Sequence, residues 1–365
     1  MNQLWRINGI RHLLKNNRSF SADQKLINYK FFVMETQTLT KPKIQSTSSQ
    51  PIKVSPENFE RAETDLYFSV VVKQGGFGKF YHYREIMSID HQTVVRANRD
   101  TIYSPGVFDL DAGPVTITLP DAGKRFMSLM ALNEDQYAFE VNYGAGSYTF
   151  TKEKAGTRYI LLALRTLIDP NDQSDLEKVH ALQDSVKVDQ PGGPGKFQVP
   201  QWDKKSQDKV RKALITLNET LSDFTKAFGK KEEVDPVKHL IGTAAGWGGN
   251  PDKDAHYLSV TPEANDGKTV YRLNVKDVPV DAFWSVTVYN ADGYMEKNDR
   301  NAYSINNITA RKESDGSVII QFGGCDSKSF NCIPITKGWN YTVRLYRPRK
   351  EVLEGKWRFP DAVAV

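Results

Sequence analysis

The chain has 365 residues, of which 39% are apolar and 25% charged, and this composition excludes a fibrous or intrinsically disordered protein. Its length allows two ordinary domains, each with a core of its own. The first 33 residues hold six basic residues and one acidic residue, and so carry the whole formal net charge of +5. The remainder of the chain is electrically balanced, which argues against a nucleic-acid-binding surface.

Residues 1–50 are predicted to form a basic, flexible N-terminal extension. The stretch through Arg18 and Phe20 is basic and poor in acidic residues, as in an organellar transit peptide. A disordered arm fits the same residues, and so does an over-extended start with Met34 as the initiator, which would make the protein cytoplasmic. Secretion is disfavoured because no apolar run of about 7–15 residues follows the charges. No segment reaches the roughly 18 apolar residues that a membrane span needs.

The ordered part is predicted to open with a helix that runs from Pro56 to about Gly75, with Ser55 as its N-cap. The hydrophobic period then changes to alternation. Short strands joined by Gly and Asp turns are predicted at residues 115–119, 126–132, 147–150 and 158–164. This spacing favours an antiparallel sandwich over βαβ units.

A helical region separates these strands from a second set. Helices are predicted at residues 174–186, with Ser174 as the cap, at residues 202–228, and from Asp235 onward. The run 190–195 is the strongest linker signal. Strands resume at residues 269–275, 283–289, 318–322 and 341–346. We therefore predict a mainly β protein with inserted helices, built from two antiparallel sandwiches at residues 51–187 and 251–365 that a linker and helical segment at residues 188–250 connects.

An internal repeat relates the two strand sets. Residues 126–137 align with residues 283–294, and five of these twelve positions are identical. Two further matches flank this one in the same order: Asp100-Thr-Ile-Tyr103 with Asp254-Ala-His-Tyr257, and Gly156-Thr-Arg-Tyr159 through Arg165 with Gly338-Trp-Asn-Tyr341 through Arg347. Three landmarks in one order indicate two copies of one β unit.

The only two cysteines, Cys325 and Cys332, are spaced for a small loop that a disulfide closes. Such a bond would stabilise the fold by about 2 kcal/mol in an oxidising compartment. Two reduced thiols in a cytosolic loop fit the sequence equally well. A zinc site needs about four ligands, and no second Cys or His pair lies nearby in sequence. We predict no metal site, and the sequence leaves any cofactor unknown.

The run from Arg96 to Ser104 concentrates side chains that can bind an anion. Arg96 and Arg99 could hold a carboxylate or phosphate in a fork geometry, with Asn98 and Tyr103 fixing its orientation and Asp100 acting as acid or base. A structural Arg–Asp network that pins a loop to the sandwich edge explains the same residues, and such networks are common at element junctions.

Other candidates lie outside this run. Glu134 is a second acid–base candidate, because the aligned turn of the second copy has Ala291 in its place and the turn therefore does not require a carboxylate. Tyr137 and Trp247 are candidates for stacking on a ligand, although core packing would explain Trp247 as well.

Several longer motifs resemble a known bacterial family. Segments 75–80 (Gly-Gly-Phe-Gly-Lys-Phe), 98–104 (Asn-Arg-Asp-Thr-Ile-Tyr-Ser), 106–114 and 119–126 resemble the domain of unknown function 1254, which corresponds to residues 51–187. Segments 247–251 (Trp-Gly-Gly-Asn-Pro), 289–294 and 338–348 resemble the domain of unknown function 1214, which corresponds to residues 251–365. The resemblance implies two tandem jelly-roll-like sandwiches and a homo-oligomer, and it brings no established reaction. Relatives often carry a secretory signal, whereas this chain has a basic, non-secretory extension instead.

Three functions stay open at this point. The first is an enzyme acting on, or a binder of, a small anionic or carbonyl-bearing molecule in a pocket of the first domain. The first copy would supply the charged groups, and the second copy would help to wall in the site. The second is a non-catalytic carbohydrate- or ligand-binding module that uses its aromatic side chains. The third is a jelly-roll assembly protein. We rank an enzyme or binder above the assembly protein.

Overall fold

The computed structural model describes residues 50–92 and 96–365. Apart from Gln50, the predicted N-terminal extension lies outside these residues. The helices in them are α1 (Phe59–Lys73), α2 (Lys152–Ala155), α3 (Gln173–Asp184), α4 (Lys204–Asn218), α5 (Pro236–Gly246) and α6 (Lys350–Leu353), and short 3-10 turns lie at Pro56–Asn58 and Leu110–Ala112. The strands are β1 (Thr101–Asp109), β2 (Val115–Leu119), β3 (Met127–Asn133), β4 (Ala138–Tyr143), β5 (Gly146–Phe150), β6 (Tyr159–Leu167), β7 (Lys187–Asp189), β8 (Ala255–Val260), β9 (Tyr271–Val275), β10 (Trp284–Tyr289), β11 (Ser304–Asn306), β12 (Val318–Phe322), β13 (Cys332–Ile333), β14 (Asn340–Tyr346) and β15 (Val363–Ala364).

The architecture is mainly antiparallel β with inserted helices, as predicted. Strands make up 27% and helices 21% of the chain. The strand pairings are antiparallel in both halves, except that β12 pairs with β13 in parallel. Within the described ranges, no helix is long and apolar enough to cross a bilayer.

The first sandwich packs a four-stranded sheet, in the order β1-β6-β3-β4, against a three-stranded sheet, β5-β2-β7. Side chains alternate across a strand, so the inward residues of both sheets form one core. Phe108 of β1, Ile117 of β2, Leu129 of β3 and Ile160 of β6 lie at its centre, and all four are buried. Helix α1 covers the opposite face of the larger sheet through Phe68 and its neighbours.

The second sandwich repeats this topology. Its larger sheet has the order β8-β14-β10-β11 and its smaller sheet the order β13-β12-β9-β15. Strands β8, β14, β10 and β11 therefore correspond to β1, β6, β3 and β4, while β12, β9 and β15 correspond to β5, β2 and β7. The core contains Trp339, Phe322, Val286 and Leu345, all buried. The same strand order in both halves is what two copies of one β unit would produce.

The strand register corrects one detail of the predicted repeat. Asn133 pairs with Ile160, and Arg165 lies five residues further along β6. In the second copy Tyr289, which precedes the aligned Asn290, pairs with Asn340, so Arg344 occupies the position of Arg165. The sequence alignment of Arg165 with Arg347 is therefore wrong by three residues. A Gly-x-x-Tyr match does not show which residues pair across a sheet.

Two helix predictions also differ from the structure. Helix α3 is capped by Asp172, whose carboxylate accepts a hydrogen bond from the Ser174 N–H, so Ser174 itself is not the cap. Helix α4 ends at Asn218 and does not continue to residue 228. Beyond it, the Asp223 carboxylate accepts from the Thr225 N–H and Lys226 takes a positive φ of 61°, and both features turn the chain out of a helix.

A disulfide joins Cys325 and Cys332, with their Cα atoms 5.7 Å apart. The bond closes the loop between β12 and β13. Of the two states that the sequence left open, the structure contains the oxidised one.

Candidate functional site

Each large sheet carries a polar cross-strand row on the face turned away from its sandwich core. In the first copy, Tyr103 of β1 lies opposite Arg165 of β6, which lies opposite Ser128 of β3. The second copy has the same residue types at the same register: Tyr257 of β8, Arg344 of β14 and Ser285 of β10. We call these the first and second polar rows. They are the clearest chemical feature that the two copies share.

The two polar rows meet at a contact between the copies that has local twofold character. The aligned residues Phe126 and Phe283 touch edge to face, with ring centroids 5.2 Å apart. The aligned aspartates then exchange contacts. Asp100 accepts from Asn306 Nδ2 at 3.3 Å, and Asp254 accepts from the Tyr143 hydroxyl at 2.8 Å.

Asn306 and Tyr143 occupy equivalent positions, because each lies opposite the serine of the polar row in its own copy. The contact of Asp100 in the first copy with Asn306 in the second therefore has a symmetric counterpart, the contact of Asp254 in the second copy with Tyr143 in the first. Such paired contacts are the geometry of an isologous interface. We call this region the row interface.

Two asparagines orient three tyrosine hydroxyls in the row interface. The Asp100 N–H donates to Asn98 Oδ1 at 2.7 Å, so the amide Nδ2 must face the other way. It donates to the Tyr346 hydroxyl at 2.8 Å and, more weakly, to the Tyr103 hydroxyl at 3.5 Å. The amide group of Asn98 therefore holds two hydroxyls as acceptors.

Asn250 acts in the same way on the third hydroxyl. Arg165 Nη1 donates to Asn250 Oδ1 at 2.8 Å, and Asn250 Nδ2 donates to the Tyr257 hydroxyl at 2.7 Å. In the described part of the chain, no residue accepts a hydrogen bond from Tyr103, Tyr257 or Tyr346. Each of these hydroxyls has its acceptor side occupied, and its own proton is available to a ligand oxygen.

Burial keeps the hydroxyls of Tyr257 and Tyr346 protonated. It raises the pKa of Tyr257, and it raises that of Tyr346 well above its usual range, with the neighbouring Tyr257 and Tyr103 hydroxyls adding to the effect. At neutral pH both residues are donors.

The guanidinium groups of the polar rows are buried without a carboxylate partner. Arg165 is 7% and Arg344 is 4% exposed. Arg165 donates to Asn250 and to the Gly248 carbonyl, and Arg344 donates to the Thr287 and Tyr289 hydroxyls and to the Arg96 carbonyl. Among the described residues, no Asp or Glu oxygen lies within 4 Å of either guanidinium. Asp100 acts on Arg344 only through space and does not form an ion pair with it. A buried charge without a directly paired counter-ion is costly, which favours an anion at this place.

The row interface opens to solvent along β8. Tyr257 keeps 37% of its surface accessible although protein atoms surround it closely enough to raise its pKa. Ser259, two residues further on the same face of β8, is exposed. This edge of the second polar row is therefore in contact with solvent.

The predicted anion clamp is divided between two places. Arg96 Nη1 donates to Asn340 Oδ1 at 2.6 Å, and its guanidinium lies over the Tyr289 ring. Arg99 donates to the Met87 carbonyl and lies over the Tyr303 ring. Burial lowers the pKa of both groups. The row interface therefore includes Asn98, Asp100 and Tyr103. Arg96 and Arg99 pack at its edge.

The structure does not bring Glu134 to this interface. Its carboxylate accepts from the Tyr159 N–H at 2.9 Å, six residues along β6 from Arg165. Six residues of extended strand span about 20 Å. Burial raises the pKa of Glu134, with Asp135 adding to the effect and Arg61 opposing it.

Tyr137 and Trp247 each have one ring face covered by another side chain. Tyr137 stacks on His239 at 4.4 Å between centroids, and Trp247 stacks on Tyr67 at 4.3 Å. Trp247 Nε1 also donates to the Thr64 hydroxyl. Both rings take part in packing between a helix and the first sandwich.

Sequence reasoning did not select Arg165, Arg344, Asn250 or Tyr346. The internal repeat could have identified Tyr257 as a site residue, because it aligns Tyr257 with Tyr103. The position of Arg344 could not be found in the same way, because the repeat alignment placed Arg347 opposite Arg165. Over residues 50–92 and 96–365, no group of three or more His, Cys, Asp and Glu side chains could hold a metal ion.

The fold and the interface together define a tandem β-sandwich protein with a polar, cationic contact between its two copies. The sequence matches two family models described as proteins of unknown function, DUF1254 over residues 77–190 and DUF1214 over residues 255–350. The chain belongs to the family that joins these two domains in this order. No curated protein matches it.

The solved structures similar to this chain include the following two. The VPA0106 protein of Vibrio parahaemolyticus is 18% identical, over 84% of this chain and 98% of that one, with a TM-score of 0.66. An uncharacterized protein from Burkholderia cenocepacia is 11% identical, over 85% of this chain and 88% of that one, with a TM-score of 0.48. The first likeness shows a shared fold and nothing about activity.

Proposed function

We propose that the protein binds a small molecule with a carboxylate, or a similar anionic oxygen group, in the row interface. The observation that carries the proposal is the burial of Arg165 and Arg344 without a carboxylate partner in the described residues. Asp100 and Asp254 oppose four cations there (Arg96, Arg99, Arg165 and Arg344), so the local charge is positive. An anion would offset the free-energy cost of burying these guanidinium groups.

The three tyrosine hydroxyls supply the directional part of this recognition. Asn98 and Asn250 occupy their acceptor sides, which leaves three O–H donors for one ligand. Donors that are oriented before binding lose little entropy on binding. The site we propose takes charged groups from both copies, whereas the sequence suggested a pocket of the first domain that the second copy only helps to wall in.

Thermal unfolding in a series of small carboxylates tests the proposal. Acetate, pyruvate, oxalate and benzoate would be compared with chloride at matched ionic strength. A carboxylate at ten times its Kd should stabilise the fold by about 1.4 kcal/mol, which corresponds to a rise in Tm of about 2 °C for a body of this size.

Tyr257→Phe is the informative variant, because it removes one donor at the open edge and leaves the ring in place. It should lose most of the carboxylate-dependent rise. Tyr81→Phe, at another partly exposed tyrosine, is the matched control and should keep it. If no carboxylate raises Tm above the chloride value, or if both variants respond like the wild type, the proposal is wrong.

A further inference from the structure

A groove of about 420 Å³ lies on the outer face of the smaller sheet of the second sandwich, away from the row interface. Its floor comes from β9 and β12, whose outward side chains there are Arg272, Ile319 and Gln321. Two loops wall it, one with Arg311 and Glu313 and the other with Phe330. We call it the Phe330 groove. Its volume lies within the range of small-molecule sites, about 300–1,000 Å³.

Phe330 is displayed to solvent on a loop that is held in place. The ring is 62% exposed, yet the Cys325–Cys332 disulfide spans its loop. Arg300 donates to the carbonyls of Asp326 and Ser329 in the same loop, at 2.6 and 2.9 Å. An exposed aromatic ring on a braced loop can pack on a ligand without the entropy cost of ordering that loop.

The two walls are also tied to each other. Asn331 Nδ2 donates to the Arg311 carbonyl at 2.7 Å, and the Arg311 N–H donates to Asn331 Oδ1 at 2.9 Å. The Arg311 guanidinium then lies 3.9 Å from the centre of the Phe330 ring. One ring face therefore carries a cation, and the other face is open to a ligand.

The polar groups of the groove match an acidic sugar. Arg272 and Arg311 are exposed, and no described carboxylate forms an ion pair with either of them, so both can bind a ligand carboxylate. Glu313 is an acceptor for hydroxyls. Gln321 Nε2 already donates to the Gly323 and Gly324 carbonyls, which turns its Oε1 outward as a second acceptor.

We infer that the Phe330 groove binds a saccharide that contains a uronic acid, with the sugar ring against the open face of Phe330 and the carboxylate on Arg272. Glu313 and Gln321 accept hydrogen bonds from the sugar hydroxyls. The inference is independent of the proposed function, since the groove and the row interface share no residue.

Isothermal titration of the full chain with digalacturonate and with the uncharged galactobiose tests it. Digalacturonate should bind with a Kd of about 1 mM or below, at least about tenfold more tightly than galactobiose, because only the first offers carboxylates to the guanidinium groups. Phe330→Ala and Arg272→Gln should each weaken its binding by about fivefold or more.

Lys312→Gln is the matched charge control. Lys312 is exposed, adjoins Arg311 and does not line the groove, so its loss should leave the affinity unchanged. The three substituted residues are exposed, and an unchanged Tm would confirm that each variant is folded. The inference fails if the folded wild type shows no saturable binding up to about 10 mM, if it binds both sugars equally, or if Lys312→Gln has the effect of Arg272→Gln.

Discussion

At the scale of single residues, Asp65 of α1 shows how burial sets the charge of a carboxyl group. It is 1% exposed, and the Trp202 Nε1–H donates to its Oδ2 at 2.8 Å. No described residue donates to its Oδ1. Burial raises the pKa of Asp65 to about 7, with Glu134 adding to the effect while Trp202 and Arg61 oppose it. The side chain therefore retains a proton close to neutral pH.

Asp65→Asn should stabilise the protein in alkaline solution. Between about pH 4 and pH 7 the folded state holds a proton that the unfolded state has lost, so the wild-type free energy of unfolding falls as pH rises through this window. The neutral amide avoids that loss. We expect the variant to exceed the wild type by on the order of 3 kcal/mol at pH 8 and to approach it near pH 4.

Urea unfolding across this pH range measures the effect. Glu177→Gln, at an exposed carboxylate of α3, is the control and should follow the wild-type curve. If the free energies of unfolding of the wild type and Asp65→Asn change with pH in parallel, Asp65 is ionised in the folded protein throughout this pH range and the prediction is wrong.

At the scale of elements, the central strands of the first sandwich explain why the sequence identified strands but not their faces. Every residue of β3 and of β6 is buried, because the smaller sheet covers one side and helix α1 the other. A strand buried on both faces does not alternate between apolar and polar residues. Two of their polar residues, Ser128 and Arg165, lie at the end of the sheet at which the second copy makes its contact, whereas Asn133 lies at the other end of β3.

The disulfide loop between β12 and β13 is an element whose stability can be measured separately. The double variant Cys325→Ser, Cys332→Ser should lose about 2 kcal/mol of unfolding free energy, because the bond no longer restricts the unfolded chain. Wild-type protein in excess reductant should show the same loss. The double variant in reductant should show no further change, and a further decrease would mean that the reductant acts elsewhere.

At the scale of the whole molecule, the two copies are joined as an internal dimer. Phe283 is fully buried, stacks on Tyr346 at 4.2 Å and meets its repeat partner Phe126 at 5.2 Å. This apolar contact adjoins the polar rows, so the proposed anion site and the junction of the copies occupy one surface. The homo-oligomer that the family resemblance implies stays a prediction, which sedimentation velocity would test.

Phe283→Ala should weaken the junction between the copies more than either sandwich. The truncation should cost about 3–5 kcal/mol. We expect one calorimetric transition for the wild type and two for Phe283→Ala, one for each sandwich. Phe322→Ala removes an equally buried ring from the core of the second sandwich. It should lower the stability of the protein but leave a single transition, because the contact between the two sandwiches is intact. Two transitions in Phe322→Ala alone would contradict this interpretation.

Much of the fold could be predicted from the chain, and part of the candidate site. Local signals such as Ser55-Pro56 and the Gly and Asp turns depend on neighbours in sequence, so many strands and helices could be predicted. Strands β1, β4 and β8 were not predicted, although β1 and β8 carry Tyr103 and Tyr257 of the candidate site. Asn98, Asp100 and Tyr103 were selected because polar groups crowd a short segment. Arg165, Arg344 and Asn250 were missed, because each is an isolated polar residue in an apolar or glycine-rich context.

The sequence by itself determined the mainly β class, the two-copy organisation and the family, because repeated motifs and periodicity are properties of the chain alone. Only the tertiary structure decided that Arg344 is the partner of Arg165, that Glu134 lies far from Asp100, and that the two polar rows face each other. These facts depend on strand register and on how two sheets dock. Both are set by contacts between residues far apart in sequence, and the unpaired guanidinium groups that support the proposed function exist only once that docking has occurred.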